Sequence, residues 1–117
     1  MSFPRRGEIY VVNLDPTIGA EIRKTRPGLI IQNDIGNRSS PLTIVAAITS
    51  KFSLPPVPTE VLIEAPEGGL KDDSVVLTNQ IRTVDKQRLT RRLGRVTPVT
   101  LHEVDQALQV SLGIIAL

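Results

Sequence analysis

The sequence has no cysteine and one histidine among its 117 residues. Without thiols there can be no disulfide and no thiolate-bound zinc, and the composition is consistent with a reducing compartment. One histidine, His102, cannot supply a two-histidine acid–base pair within a chain, and we expect it on the solvent side of a helix. Calcium-loop, P-loop and nucleophile-elbow patterns are also missing. An enzyme of this sequence is therefore expected to use no metal, cofactor or histidine.

Long apolar runs and aromatic residues are scarce as well. The longest unbroken apolar run covers residues 44–48, too short for a membrane span, and no apolar stretch follows the first arginines as in a signal peptide. Aromatic residues make up 3%, so Val, Ile and Leu must fill the core, which favours strands. The length indicates one domain, residues 1–117, and we expect a cytoplasmic protein with no membrane association.

The charges are segregated along the chain although the net charge is only +2. Residues 1–51 hold seven Lys/Arg against four acids, and residues 82–95 hold six against one. Residues 60–73 are acidic, with five acids against Lys71. The two basic segments could meet in space as a track for phosphates, or they could simply solvate loops and helix ends.

Hydrophobic patterning predicts a mainly β protein with one long C-terminal helix. Thr97 can cap this helix, Pro98 suits its first position, and Leu101, Val104 and Leu108 recur at helical spacing. A turn-rich connection is expected around residues 33–41, and one or two helical turns within 85–90. The predicted strands cover residues 8–14, 28–32, 42–50, 59–64, 74–77, 80–83 and 93–96.

Several short sequence motifs follow one another over nearly the whole chain. Each motif alone is weak evidence, but their combination and order are specific for a protein family. They read RGEIY (6–10), NLDP (13–16), KTRP (24–27), LIIQND (29–34), TIVAAIT (43–49) and LTNQIRTVDKQRL (77–89). Together they resemble the MazF/PemK family of toxin endoribonucleases, from type II toxin–antitoxin systems. Two positions depart from the family pattern: Val11 stands where a tryptophan is common, and Gly28 where a larger apolar residue is common. Both changes bear on loop packing and on which bases are read.

The resemblance implies a small SH3-like barrel with appended helices, shared with the CcdB gyrase poisons. It implies a homodimer that binds single-stranded RNA along the dimer interface and cuts mRNA at short sequences without metal. The expected products carry a 2′,3′-cyclic phosphate and a free 5′-hydroxyl. A cognate MazE-type antitoxin with a disordered acidic tail is the expected partner.

Matching the motifs places the family's catalytic arginine on Arg26 and its catalytic threonine on Thr49. A guanidinium can fork onto two phosphate oxygens, and a threonine hydroxyl can donate to the same phosphate. Among the remaining polar, basic and aromatic residues, the candidates for RNA contact are Asn33, Asn37, Arg38, Lys51, Phe52, Gln80, Arg82, Lys86 and Arg88. Two rival hypotheses are a gyrase poison of the related fold, which needs no catalytic arginine, and a non-catalytic RNA-binding barrel.

Overall fold

A computed structural model describes residues 2–22 and 24–116. Its six strands form one antiparallel sheet in the order β4-β5-β3-β2-β1-β6. The strands are β1 Glu8–Asn13, β2 Thr25–Ile30, β3 Leu42–Thr49, β4 Glu60–Ile63, β5 Ser74–Asp85 and β6 Leu89–Arg95. The helices are α1 Asp34–Ser39 and α2 Pro98–Ser111, with 3₁₀ turns at Glu67–Gly69 and Lys86–Arg88. The mainly β prediction is confirmed, but over the described residues the sheet is open, with β4 and β6 at its edges.

Helix α2 begins as the sequence predicts. The Thr97 side chain accepts a hydrogen bond from the Thr100 backbone N–H, and Pro98 occupies the first turn. His102 is exposed on this helix, as predicted.

Four predicted segments differ from the structure. Strand β2 begins at Thr25 and ends at Ile30 rather than covering residues 28–32, so Arg26 lies within a strand. The connection after β2 contains the short helix α1, and β6 begins at Leu89 rather than at residue 93. The two short strands expected at 74–77 and 80–83 are one strand, β5, with a register shift opposite Ala46 and Ala47. The shift leaves Thr78, Asn79 and Gln80 without register partners on β3, which interrupts the alternation that marks a continuous strand.

The sheet buries apolar side chains on both faces. On one face Ile9, Leu29 and Ile48 pack with Val104 of α2, and we call this the helix face. The other face carries Val12, Ile30 and Val45. We call it the loop face, because side chains of the segment between β1 and β2 cover it, including Leu14 and Ile22. Burial on both faces explains why β3 is almost continuously apolar.

No helix in residues 2–22 and 24–116 is long and apolar enough to cross a membrane.

Candidate functional site

Arg26 and Thr49 lie at the same end of neighbouring strands. β2 pairs with β3 so that Gly28 lies opposite Ala47 and Ile30 lies opposite Val45. Continued by two residues, this antiparallel register places Arg26 opposite Thr49. Arg26 also pairs with Val12 of β1, so both candidates belong to the loop face. The structure therefore brings the two predicted catalytic residues together.

The Thr49 side chain is held in place by its own backbone. It is 9% exposed, and its hydroxyl oxygen accepts a hydrogen bond from the Lys51 N–H at 3.1 Å. A hydroxyl that accepts one such bond still has a proton to donate to a second partner. Thr49 is thus oriented at the strand end and retains the donor that phosphate binding requires.

Arg26 also borders a concave site of about 560 Å³ at this end of the sheet. Four cationic side chains line it, and Asp72 is the one acid among its lining residues. Thr49 does not line the cavity because its side chain lies on the loop face, whereas Ile48 and Leu70, which line the cavity, belong to the helix face. The cations are Lys24, Arg26, Lys71 and Arg91, and the hydroxyl groups come from Thr25, Ser50 and Ser74. Such a set is suited to an anionic ligand.

The two basic segments of the sequence meet here, because β1 lies between β2 and β6. Val11 of β1 pairs with Pro27 on one side and with Arg91 on the other. The basic segments therefore meet in space, which is one of the two possibilities that the charge pattern allowed. Sequence reasoning singled out Arg26 but not Lys24, Lys71, Arg91, Ser50 or Ser74. The sequence did not indicate Lys71, because this residue lies in the acidic segment. The fold places it beside Lys24 and Arg26 in the lining of the cavity.

Three of the predicted RNA contacts, all partly exposed, hold the β1–β2 segment (residues 14–24, of which 14–22 and 24 are described). The Gln80 side-chain oxygen accepts from the Ile22 N–H at 3.4 Å, and the Arg82 guanidinium donates to the Leu14 carbonyl. Arg88 donates to the carbonyls of Asn13 at 3.1 Å and Asp15 at 2.5 Å. Gln80 and Arg82 also line a small cavity of about 60 Å³ beneath this segment, together with Thr17 and Glu21. These side chains position the segment that leads into Arg26, and their role as RNA contacts stays a prediction.

Asn37 is buried, which contradicts its prediction as an RNA contact. It is 0% exposed, and its side-chain oxygen accepts from Thr43 Oγ1 at 2.7 Å and from Gln32 Nε2 at 3.1 Å. Its amide nitrogen donates to the Gln32 carbonyl at 2.9 Å and to Asp34 at 3.2 Å. With both ends of the amide used and no surface exposed, Asn37 fixes α1 against β3 and presents nothing to a base.

The other predicted contacts are accessible to different degrees. Asn33 is exposed and caps α1, where its side chain accepts from the Gly36 N–H at 2.8 Å. Arg38 is exposed on α1, and Lys86 donates from its ammonium group to the Asn37 carbonyl. Lys51 is exposed and Phe52 half-buried, both just beyond Thr49. Lys51 and Phe52 therefore flank the strand end that carries the catalytic candidates.

Two ionisable groups near the loop face have shifted pKa values. Burial raises the pKa of the Tyr10 phenol above 10.0, and the negative charge of the neighbouring Glu8 carboxylate raises it further. A hydrogen bond from the Arg6 N–H lowers the pKa of Asp34 below 3.8, against the opposing effect of burial and with the help of a hydrogen bond from the Asn37 amide. Within residues 2–22 and 24–116, no three His, Cys, Asp or Glu side chains are grouped so as to hold a metal ion.

The chain is similar to proteins of known family along nearly its whole length. Residues 5–112 match the family described as PemK-like, MazF-like toxin of type II toxin–antitoxin system. Over 111 residues the chain is 49% identical to Endoribonuclease EndoA of Bacillus subtilis strain 168, covering 95% of this chain and 96% of the relative.

Solved structures share the fold. MazF from Deinococcus radiodurans superposes with a TM-score of 0.83 at 27% identity, covering 97% of this chain and 99% of that one. A mycobacterial endoribonuclease in complex with its cognate antitoxin superposes with a TM-score of 0.80, also at 27% identity and with the same coverage.

Proposed function

Since this chain belongs to the PemK-like, MazF-like toxin family of type II toxin–antitoxin systems, we propose that it is a sequence-specific endoribonuclease toxin. Its substrate is single-stranded RNA, mRNA in the cell, and it needs no metal ion. The 49% identity to a protein named as an endoribonuclease supports the activity. The observation that carries the proposal is the placement of Arg26 and Thr49 at the same end of adjacent strands, where Lys24, Lys71 and Arg91 add positive charge around a cavity that opens on the helix face.

The proposed reaction uses the RNA's own 2′-hydroxyl as nucleophile. A bond forms between the 2′-oxygen and phosphorus while the bond from phosphorus to the 5′-oxygen breaks. The 2′-hydroxyl loses a proton and the departing 5′-oxygen gains one. The products are a 2′,3′-cyclic phosphate and a 5′-hydroxyl. Because water is not the attacking group, no metal-bound hydroxide is required.

The protein's contribution is charge stabilisation and orientation. Negative charge builds on the non-bridging phosphate oxygens, and fixed donors aimed at that charge lower the barrier. Arg26 supplies a planar two-donor fork, and Thr49 supplies a hydroxyl from the opposite strand. Pro27 restricts the backbone of Arg26 to extended conformations, which keeps the arginine at the strand end. Lys24, Lys71 and Arg91 provide further positive charge for the flanking phosphates.

A homodimer and an antitoxin complete the proposal. Large apolar side chains are exposed near the C-terminal end of the chain and in the proline-rich segment after β3, including Val57 at 52% and Leu112 at 57%. Such residues are suited to burial between two copies. A cognate antitoxin with an acidic tail suits the cationic cavity, and the mycobacterial relative was solved with its antitoxin. We expect the toxin to act in the cytoplasm, and sedimentation at micromolar concentration should show a dimer.

Cleavage in EDTA is the deciding experiment. Purified protein is incubated with single-stranded RNA, with and without EDTA, and the fragment ends are mapped. We expect equal cleavage in both and ends bearing a cyclic phosphate and a 5′-hydroxyl. Activity that vanishes on chelation and returns with magnesium would contradict the mechanism. Binding without cleavage would identify a non-catalytic RNA-binding protein, and gyrase inhibition without RNA cleavage would identify a gyrase poison.

A further inference from the structure

A second, larger cavity of about 860 Å³ lies toward the far end of the loop face from Arg26. The N-terminal residues close one side, α1 another, and the turn between β5 and β6 a third. From Arg26 to Ile30, the last residue of β2 before α1, is roughly 13 Å at a strand rise of about 3.3 Å per residue. The side chains relevant to binding are Phe3, Arg5, Tyr10, Arg38, Lys86 and Leu89.

The lining combines positive charge with aromatic rings and contains no acid in the described part of the chain. The Arg5 guanidinium lies over the Phe3 ring, with its carbon 4.6 Å from the ring centroid. A guanidinium stacked on a ring forms a planar surface on which a nucleobase can stack in turn. The chain has three aromatic residues, and this one cavity contains two of them.

The acids around the cavity are already engaged. Glu8 accepts from the Arg5 N–H at 2.6 Å through one oxygen and pairs with Arg92 at 2.6 Å through the other. Asp34 accepts from the Arg6 N–H at 2.7 Å. The side chains of Arg5 and Arg38 therefore face the cavity without a carboxylate among its lining residues.

Two of the cations are positioned by the buried Asn37. Lys86 donates to the Asn37 carbonyl, and the Asn37 side chain fixes α1, which carries Arg38. The Asn37 backbone carbonyl thus ties the turn after β5 to α1, and the Asn37 side chain ties α1 to β3. Because these elements are tied together, the cavity is preformed, which lowers the entropic cost of binding a ligand.

We propose that this cavity is a second nucleotide-binding site, which takes one base and an adjacent phosphate of the same RNA strand that is cut at Arg26. The inference rests on the proposed function and extends it to a site several nucleotides from the broken bond. Arg88 lies between the two regions, since it shares a turn with Lys86 and contacts Asn13 and Asp15 at the start of the β1–β2 segment. Cationic side chains therefore lie along the path from the second cavity to Arg26.

The chemistry favours RNA over an acidic protein segment. A carboxylate chain needs only the positive charges, whereas the stacked Phe3 and Arg5 pair and the Tyr10 ring match the flat face of a base. Bases in a duplex are already stacked on each other and cannot enter, so the site selects unpaired RNA.

The test compares RNAs of two lengths that contain the same mapped cleavage site. The short RNA ends close to the cut, and the long RNA extends by enough nucleotides on each side to reach the second cavity. The variants are Arg38→Ala and Phe3→Leu, and the matched control is Arg95→Ala, an exposed arginine of β6 that lines neither large cavity. KM and kcat are measured for cleavage, and Kd for a long RNA with a 2′-deoxy sugar at the cleavage site. The melting temperature shows that each variant is folded.

For the wild type we expect a KM about tenfold lower on the long RNA, the scale of one stacked base. Arg38→Ala and Phe3→Leu should remove most of that difference by raising KM and Kd on the long RNA, with kcat little changed. Arg95→Ala should retain it. Equal KM for both lengths in the wild type, or an equal loss in Arg95→Ala, would overturn the second site while leaving the endoribonuclease intact.

Two further outcomes separate this inference from the proposed function. If the wild type cleaves neither RNA but binds the deoxy-substituted long RNA in a manner that depends on Arg38 and Phe3, the second site holds and the catalytic proposal fails. If it neither cleaves nor binds, both fail. Loss of affinity for poly-L-glutamate in Arg38→Ala, with RNA affinity unchanged, would show that the cavity serves an acidic polypeptide instead.

Discussion

Arg26 of β2 and Thr49 of β3 lie at the same end of adjacent strands, each two residues past the last register pair, Gly28 with Ala47, and a continuation of that register sets them opposite each other. Opposed residues on one face of an antiparallel pair have β-carbons about 5 Å apart, so side chains at these positions can reach one phosphate. The relationship depends on strand pairing alone. Arg26 pairs with Val12 of β1 and Thr49 with Val75 of β5, so the neighbouring strands hold the backbone of both residues.

Replacing Arg26 with alanine should reduce kcat without unfolding the protein. Loss of one preorganised donor to the transition-state charge costs at least about 100-fold in kcat, roughly 3 kcal/mol. RNA affinity should fall far less, because Lys24, Lys71 and Arg91 remain. Arg26→Lys should restore little, since lysine lacks the planar fork. Single-turnover cleavage and RNA binding measured side by side check this, and equal losses in both would make Arg26 a phosphate anchor only.

The hydroxyl of Thr49 can be tested by two substitutions that retain its size or its chemistry. Thr49→Val removes the donor but keeps the branched shape of a buried strand residue, so we expect at least about tenfold slower cleavage with a similar fold. Thr49→Ser keeps the hydroxyl and should retain most of the activity. Comparable rates for the valine and serine variants would exclude a role for the hydroxyl.

Asn37→Ala should destabilise the protein substantially. The substitution leaves Thr43 and Gln32 without their buried partner, a loss of more than about 2 kcal/mol. Asn33→Ala, which removes the exposed cap of the same helix, should cost about 1 kcal/mol. Denaturant unfolding of both variants gives the comparison, and an Asn37→Ala variant as stable as Asn33→Ala would show that the buried network contributes little.

Asp34 should make stability depend on pH in the acid range. Its folded pKa is lowered below 3.8, so its charged form stabilises the fold above that pH. This contribution is lost as pH falls through the lower folded value. Asp34→Asn should therefore melt below the wild type at neutral pH, with the difference shrinking below pH 3.8. Melting temperatures between pH 7 and pH 2 test this, and a difference independent of pH would contradict it.

The sequence predicted the elements whose pattern is local. The spacing of Leu101, Val104 and Leu108 indicated α2, and the apolar run in β3 indicated a central strand. Helix α1 has weak local signals, because glycine and asparagine disfavour helix interiors. It is held instead by a tertiary hydrogen bond of the Asn37 side chain with Thr43.

The sequence predicted those residues of the site that belong to a recognisable sequence motif. Arg26 was found from its sequence phrase, and its placement opposite Thr49 followed once the strands paired. Lys71 and Arg91 could not be found in this way, because each reaches the cavity from a segment distant in sequence. Asn37 was placed wrongly because a polar side chain next to an arginine suggests surface, and only the fold shows that its partners lie inside.

The register shift in β5 has a consequence for how this family can gain or lose residues. Ala46 pairs with Ile81 and Ala47 with Leu77, so Ile81 and Leu77 stand beside consecutive residues of β3. Deleting Thr78, Asn79 and Gln80 together would join the two halves into an uninterrupted ladder with both apolar faces retained. Removing these three residues would keep the pairing of β5 with β3 but would lose the buried Thr78, whose hydroxyl donates to the carbonyls of Thr59 and Ala107. Removing one residue from either flank would instead move one half of the strand out of phase. The same deletion would take away the Gln80 contact to Ile22, so the three residues outside the β3 register hold the β1–β2 segment on one side and helix α2 on the other.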